Sequence, residues 1–295
     1  MIYCLGPEGS YTSKAAKLFS KMLNNDKIIY CKSIYEVFEN VNNCSNDNNI
    51  CYGVVPSENS IEGSVSLTMD LLLEFPVKIL GEIDLPINHC LIGYDKNKIK
   101  KILAHPQALA QCRKYIQKNN WDTESVLSNS KGVEKIKTSG NKELGAIASE
   151  EAGNLFNVPI LEKNIEDYKN NTTRFIIFGK DYKDNNNDYN KNNNNNHIKF
   201  NKKPKYYKST IIVELKEDKP GALYNILKEF NNKNINLTKI ESRPSKNKIG
   251  NYIFYMDYLF NDNYNNEKQL IKLLEKHISN LKYLGNYPVI EYENN

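Results

Sequence analysis

From Asp181 to Lys205 the chain reads DYKDNNNDYNKNNNNNHIKFNKKPK. Few of these residues are apolar, no helical or strand period runs through them, and Asn and Lys predominate. Burial there cannot offset the entropy of ordering. The tract therefore cuts the 295 residues into two stretches that must each build a core, and the length suits about two domains. A flexible linker is expected over 181–207. Asparagine numbers about 45 in all, well above ordinary usage, so biased gene composition explains the tract as well as any function does.

Before the tract, β-type runs alternate with helical patterns: IYCL with TSKAAKLFSKML, IIYC with SIYEVFENV, and CYGVV with a polar loop and SLTMDLLLE. A second set follows: PVKILGEIDLPI and HCLIGY as strands, IKKILAH leading into PQALAQCRKYIQK, ELGAIA into SEEAGNLF, and last RFIIFG. Such alternation predicts sheets with crossover helices. After Pro106, the apolar residues Ala108, Leu109, Cys112, Tyr115 and Ile116 recur every three or four positions and make one buried face. Periodicity leaves open whether the two sets share one sheet or form two lobes.

Beyond the tract come STIIVEL, GALYNILKEFNNK, INLTKIESR, NYIFYMDYLF, EKQLIKLLEKHI and LKYLGNY. In order they read strand, helix, strand, strand, helix, strand, the ferredoxin-like βαββαβ unit. The long aromatic strand NYIFYMDYLF suits either a partner subunit or the helices of its own domain.

The formal charge of +5 comes from 40 basic and 35 acidic residues spread along the chain, which implies no nucleic-acid face and no membrane-seeking patch. Cys4, Cys31, Cys44, Cys51, Cys90 and Cys112 show neither a CxxC pair nor zinc-site spacing, so reduced, mostly buried thiols are expected, and no metal site. No signal-peptide pattern and no long apolar run occurs, so the cytoplasm is the expected compartment.

Four polar segments stand out. In GPEGSYTSKAA, two glycines and Ser10, Thr12 and Ser13 lie between a strand and a helix. That arrangement suits an anion at the helix start, or a plain N-cap, and matches no nucleotide fingerprint. In VVPSENSIEGSV, Glu58, Asn59, Ser60 and Glu62 follow an apolar strand, where ligands bind in α/β proteins; alternatively Ser57 and Ser60 only cap a helix starting near Gly63. His89 and His105 lack the companions of a metal site or triad and read as structural, with AHPQ capping its helix. In NNTTRF, Arg174 offers a fork for a carboxylate and Thr173 a stiff hydroxyl beside it; alone, they read as an exposed strand end.

Taken together, GPEGSYT, VPSENSIEGSV, AHPQALAQC, GAIASEEAG, NIED and NNTTRF resemble the prephenate dehydratase family in order and spacing. GALYNIL and IESRP resemble the effector signatures of its ACT domain. The resemblance covers the chain apart from the Asn-rich tract. It implies an α/β catalytic region like a type II periplasmic binding protein over 1–180, with lobes of roughly 1–76 plus 164–180 and of 77–163, then a ferredoxin-like ACT domain over 208–292. It implies conversion of prephenate to phenylpyruvate, water and carbon dioxide, without cofactor or metal. By the same likeness Thr173, Arg174, Glu58, Asn59 and Ser60 are catalytic, while Ser10, Thr12, Glu62 and Phe175 bind substrate. Gly221, Ala222, Leu223, Glu241, Ser242, Arg243 and Pro244 would hold phenylalanine as a feedback inhibitor between paired ACT domains, in a dimer or tetramer. No chorismate mutase segment precedes Met1, so a monofunctional enzyme is expected.

Chemically, hydroxide leaves prephenate only when a donor protonates it or hydrogen-bonds it strongly. Thr173 is the expected donor, and Arg174 and the amides near Ser10 to Thr12 the expected carboxylate anchors. Ser57 and Thr172 depart from the usual pattern. Because Thr172 and Thr173 alternate across a strand, only one faces the substrate, and the family register selects Thr173. Competing readings are arogenate dehydratase and a non-catalytic amino-acid or solute sensor on the same fold.

Overall fold

The apolar runs of the sequence become strands, and the amphipathic runs between them become helices. The computed structural model describes residues 1–44, 50–181, 203–217, 219–245, 252–260 and 264–292. Most of the expected linker, 182–202, lies outside the described residues. The elements up to that tract are β1 (Ile2–Leu5), α1 (Tyr11–Leu23), β2 (Ile28–Cys31), α2 (Ile34–Asn42), β3 (Tyr52–Asn59), β4 (Gly63–Ser64), α3 (Ser66–Glu74), β5 (Val77–Pro86), β6 (Cys90–Gly93), β7 (Lys101–Ala104), α4 (Pro106–Gln111), α5 (Arg113–Lys118), β8 (Asp122–Ser125), α6 (Asn129–Ser139), β9 (Leu144–Ala148), α7 (Glu150–Phe156), β10 (Ile160–Lys163) and β11 (Thr172–Lys180). After it come β12 (Tyr206–Leu215), α8 (Ala222–Asn232), β13 (Leu237–Pro244), β14 (Tyr252–Leu259), α9 (Tyr264–Leu274) and β15 (Ile278–Ile290).

By packing, one unit holds 1–68 with 84–175, and the other holds the described residues of 69–83 and 176–295. This division does not follow the expected boundary at 180, because residues of β5 and β11 contribute to both units.

The first unit contains two sheets. In one, β2, β1 and β3 are parallel, and β11 lies beside β3 and then β5. The expected second lobe began at residue 77, yet β5 belongs to this first sheet. The other sheet has the order β10-β6-β9-β7-β8, with β6 antiparallel to β9 and β10, and β7 parallel to β8 and β9. Alternation along its strands divides the core by face. Cys90, Ile92, Leu103, Ala146 and Ala148 pack with Val133 and Ile136 of α6 and Ala152 of α7. Leu91, Ile102, Ala104 and Ile147 pack with Ala108, Cys112 and Ile116, the buried face expected after Pro106. That helix is broken at Cys112 into α4 and α5. His105 caps α4 through Nδ1, 3.3 Å from the Gln107 N–H, with Pro106 at the first position, as AHPQ suggested.

In the second unit, the strands run β13-β14-β12-β15-β5. The first three pairings are antiparallel, and β15 is parallel to β5 through Val289↔Glu82 and Ile290↔Ile83. The order within β12 to β15 is that of a ferredoxin-like sheet, with α8 and α9 over one face. Ile211, Val213, Phe254, Met256 and Tyr258 pack there against Ile226, Phe230, Leu270 and Leu274. The aromatic β14 thus packs under its own helices, while Tyr255 on its other face donates to the Met69 carbonyl at 2.9 Å. β12 begins at Tyr206, inside the expected linker.

Buried charge joins β12 to β5. Lys208 Nζ lies 2.6 Å from Glu82 and 3.7 Å from Asp257, and the Lys208 and Glu82 side chains are 2% and 1% exposed. Cys44 and Cys51 form a disulfide, which corrects the expectation of six reduced thiols: β3 brings Cys51 back beside the end of α2, with 6.3 Å between the two Cα atoms. The other four cysteines are free and buried. Among the described residues no helix is long and apolar enough to cross a membrane.

Candidate active site

Asn59 closes a tight turn that the sequence suggested was a loop. β3 carries Ser57, Glu58 and Asn59 to its end, and the chain folds straight back as β4, pairing Glu58 with Ser64 and Asn59 with Gly63. The Asn59 Oδ1 accepts from the N–H groups of Ile61 and Glu62, at 3.0 and 3.1 Å, an Asx-type turn. Gly63 completes it at φ +80°, where a side chain would be strained. The helix expected near Gly63 begins at Ser66. Ser57 and Ser60 do not cap it. Ser57 Oγ donates to the Arg174 carbonyl at 3.3 Å. Ser60 latches β11, its N–H donating to Thr172 O at 2.8 Å and its Oγ accepting from Thr172 N–H at 2.9 Å.

Because Oδ1 of Asn59 is committed to two N–H donors, the other end of its amide has a fixed sense. Nδ2 donates to Thr173 Oγ1 at 2.9 Å and to Asn171 Oδ1 at 2.8 Å. Asn59 is 7% exposed and Asn171 1% exposed, so neither amide can turn round without leaving polar groups unpaired. The Thr173 oxygen therefore accepts from Asn59, and its own hydrogen is directed away from Asn59.

The buried chain of amides continues. Asn171 Nδ2 donates to Gln111 Oε1 at 3.1 Å, Gln111 Nε2 donates to Glu62 Oε1 at 3.3 Å, and His89 Nε2 lies 2.8 Å from the same Gln111 oxygen. The His89 backbone N–H donates to Glu166 Oε2 at 2.8 Å, and Tyr11 packs edge-on against the His89 ring and donates to the Asn88 carbonyl. Burial pushes the His89 pKa down, opposed by its bond to Gln111 and by the Glu166 charge. Burial likewise raises that of Tyr11.

Arg174 lies on the opposite face of β11 from Thr173, as neighbours on a strand must. Its Nη1 is 2.7 Å from Glu58 Oε2 and its Nε 3.2 Å from Asp84 Oδ1. Two protein carboxylates therefore already engage the guanidinium expected to anchor substrate. Phe175, on the Thr173 face by alternation, is buried. Ser10 is the N-cap of α1 and accepts from Ser13 N–H at 3.1 Å, while Thr12 is buried in the first turn. The structure thus joins Asn59, Thr173 and Glu62 in one network and sets Glu58 with Arg174 in another. Asn171, Gln111, His89 and Asp84 join them although the sequence reading had not named them as site residues. Among the described residues no three His, Cys, Asp or Glu side chains are grouped to hold a metal ion.

In the second unit, α8 starts after Gly221 at φ +84°. Glu214 pairs with Ile253 and Ile253 with Arg243, so β12, which precedes α8, finishes at the same end of the sheet as β13. Arg243 is held by Asp70 at 2.9 Å, and Glu241 lies 3.3 Å from Lys239. Ser242 and Pro244 are exposed.

Comparison with known proteins gives the family. The model described as "Prephenate dehydratase" matches residues 2–183, and that described as "ACT domain" matches 209–278. The prephenate dehydratase of Methanocaldococcus jannaschii is 53% identical over 293 residues, which span 99% of this chain and 98% of that protein. The crystal structure of the prephenate dehydratase of Staphylococcus aureus superposes with a TM-score of 0.78 at 27% identity, covering 97% of this chain and 99% of that one. That of the Arthrobacter aurescens enzyme in complex with L-Phe does so with a TM-score of 0.77 at 25% identity, covering 98% and 90%. The chain belongs to the prephenate dehydratase family, as a hydro-lyase whose catalytic domain is followed by an ACT domain.

Proposed function

We propose that the chain turns prephenate into phenylpyruvate, water and carbon dioxide, and that Thr173 supplies the hydrogen that lets the ring hydroxyl leave. One observation carries this reading: Asn59 Nδ2 donates to Thr173 Oγ1, so the Thr173 hydrogen is left to face a bound substrate. As the bond to the ring carboxylate breaks, its electron pair enters the ring, the carbon–oxygen bond opposite breaks, and the departing hydroxide takes up a proton as water. A threonine hydroxyl is a feeble acid. The Asn59 donor, aimed at the oxygen from a buried position, stabilises the charge that develops there as the proton moves out.

In the same reading Glu58 and Asp84 hold Arg174 as a fixed positive strut, and a substrate carboxylate reaches it only in competition with them. Ser60 fixes the start of β11. Ser10 and Thr12 set the N-terminal amides of α1 as the second anchor. Phenylalanine at Gly221, Ala222, Leu223, Glu241, Ser242, Arg243 and Pro244, in a site completed by a second copy of the chain, restrains the reaction. Support for this comes from the Arthrobacter aurescens relative, which was crystallised with L-Phe.

The test uses purified full-length chain with prephenate and, separately, arogenate, with and without millimolar phenylalanine. Phenylpyruvate formation that phenylalanine slows is the expected result. Product from arogenate alone would move the assignment to that substrate, and no product from either would end the catalytic reading. Velocity indifferent to phenylalanine would end the regulatory one.

A further inference from the structure

His89 stands at the far end of the amide chain from Thr173, in the segment joining β5 to β6. Its ring is buried, 2% exposed, and its two nitrogens are treated differently. Nε2 lies 2.8 Å from Gln111 Oε1. Nδ1 is one of two buried side-chain polar atoms without a hydrogen-bond partner among the described residues. The Gln111 oxygen can only accept, and it already accepts from Asn171 Nδ2, while Gln111 Nε2 points to the Glu62 carboxylate. The proton of a neutral His89 therefore sits on Nε2, and Nδ1 is the bare nitrogen.

That tautomer sets a direction. With Nε2–H donating, Gln111 presents its oxygen to Asn171, Asn171 presents its oxygen to Asn59, and Asn59 presents its N–H to Thr173. Were the ring proton on Nδ1, Nε2 would be an acceptor facing an acceptor. Gln111 would then gain by rotating its amide, which brings its NH₂ against that of Asn171 and loses the bond to Glu62.

We infer that His89 is a positioning residue for the dehydration: as an Nε2–H donor clamped on Gln111, it holds the polarity of the buried chain that ends at the Thr173 hydroxyl. It does not touch substrate. The inference rests on the role proposed for Thr173, and it predicts an effect on turnover rather than on binding.

Two arms test it, each on the full chain. Kinetics with prephenate compare wild type, His89→Leu, which fills space without a donor, and His89→Gln, whose amide N–H can reach the same oxygen. His89→Leu should lower kcat about tenfold or more with KM within about threefold, and His89→Gln should keep kcat within about threefold of wild type, the scale of one lost buried hydrogen bond. Equal loss in both variants, or none in either, overturns the inference. If His89→Leu does not fold, His89→Gln decides by the same margins. The second arm reads ¹⁵N shifts of labelled histidine in wild type, with His89 identified among the 4 histidines by its absence in His89→Gln. A protonated Nε2 with a bare Nδ1 at neutral pH is expected, and the reverse tautomer refutes it. This arm needs no turnover, and wild-type activity is read separately, so failure of the tautomer and failure of the dehydratase reading are told apart.

Discussion

Replacing Asn59 by Asp changes one donor into an acceptor at nearly constant shape, and it therefore tests the direction of the network rather than its existence. In the native chain Nδ2 donates to Thr173 Oγ1 at 2.9 Å, to Asn171 Oδ1 at 2.8 Å and, more weakly, to the Thr172 carbonyl at 3.3 Å. In Asn59→Asp the bond to Thr173 survives only if the threonine turns its hydrogen inward to the new carboxylate, a charge-assisted bond that removes the hydrogen from the substrate. The bond to Asn171 becomes oxygen against oxygen, and Asn171 cannot rotate without losing Gln111. One buried bond is thus reversed, and those to Asn171 and the Thr172 carbonyl are lost, so stability falls by about 1–3 kcal/mol. If the Thr173 hydrogen serves as the acid, turnover falls by the roughly 10²–10⁴ that such a group contributes, or about 3–5 kcal/mol of barrier. Steady-state kinetics with prephenate, paired with thermal melts, separates the two effects. As pH falls the new carboxyl takes a proton and can donate again, so kcat recovers in part on the acid side. A variant whose kcat stays within about threefold of wild type, or whose loss lies wholly in KM, would refute the reasoning.

Three further outcomes follow from the geometry. Thr173→Val should abolish most turnover while Thr172→Val keeps it, since Thr172 meets Ser60 through its backbone; the opposite ranking in the prephenate assay places the reacting face wrongly. His89 has a depressed pKa in the folded chain, so below about pH 6.5 the unfolded chain binds the extra proton and stability falls with falling pH, by at most about 1.4 kcal/mol per unit from this group. Urea midpoints across the acid range should show a slope that His89→Gln reduces, and an unchanged slope counts against a neutral buried ring. Lys208→Met removes the ammonium that lies 2.6 Å from the buried Glu82 carboxylate and should cost about 3–5 kcal/mol, much of it restored by adding Glu82→Leu; a melting temperature equal to wild type for the single variant would contradict the burial of the pair.

Elements whose buried face is strongly apolar were legible in the sequence, and those without such a face were not. β8 (DTES) and β10 (ILEK) are the two edge strands of their sheet, and neither alternates strongly enough to register as a period. In α6, a helix rich in lysine, the buried side is Ser130, Gly132, Val133 and Ile136. A Cβ on Gly132 would come within 2.9 Å of the Leu103 carbonyl, so the contact there relies on the lack of a side chain, which no hydropathy pattern signals. The helix after Pro106 was visible as a face, but its break at Cys112 was not. Of the site, Asn59 and Thr173 could be read because each sits in a polar segment against an apolar strand. Their partners Asn171, Gln111 and His89 come from separate elements, and Gln111 lies 60 residues from Asn171; which end of an amide faces which neighbour is a property of the assembled chain. Arg174 was legible as a carboxylate binder, but that Glu58 and Asp84 would be the carboxylates was not.

The buried pair Lys208–Glu82 also bears on chain length. Side chains alternate along a strand, so slipping β12 by one residue would turn Lys208 to the helix-covered face, away from Glu82. The pair fixes where the second half of the sequence begins, independently of how many residues come before it. A gene encoding this chain can therefore gain or lose asparagine codons ahead of residue 203 without altering the register of the strands that follow.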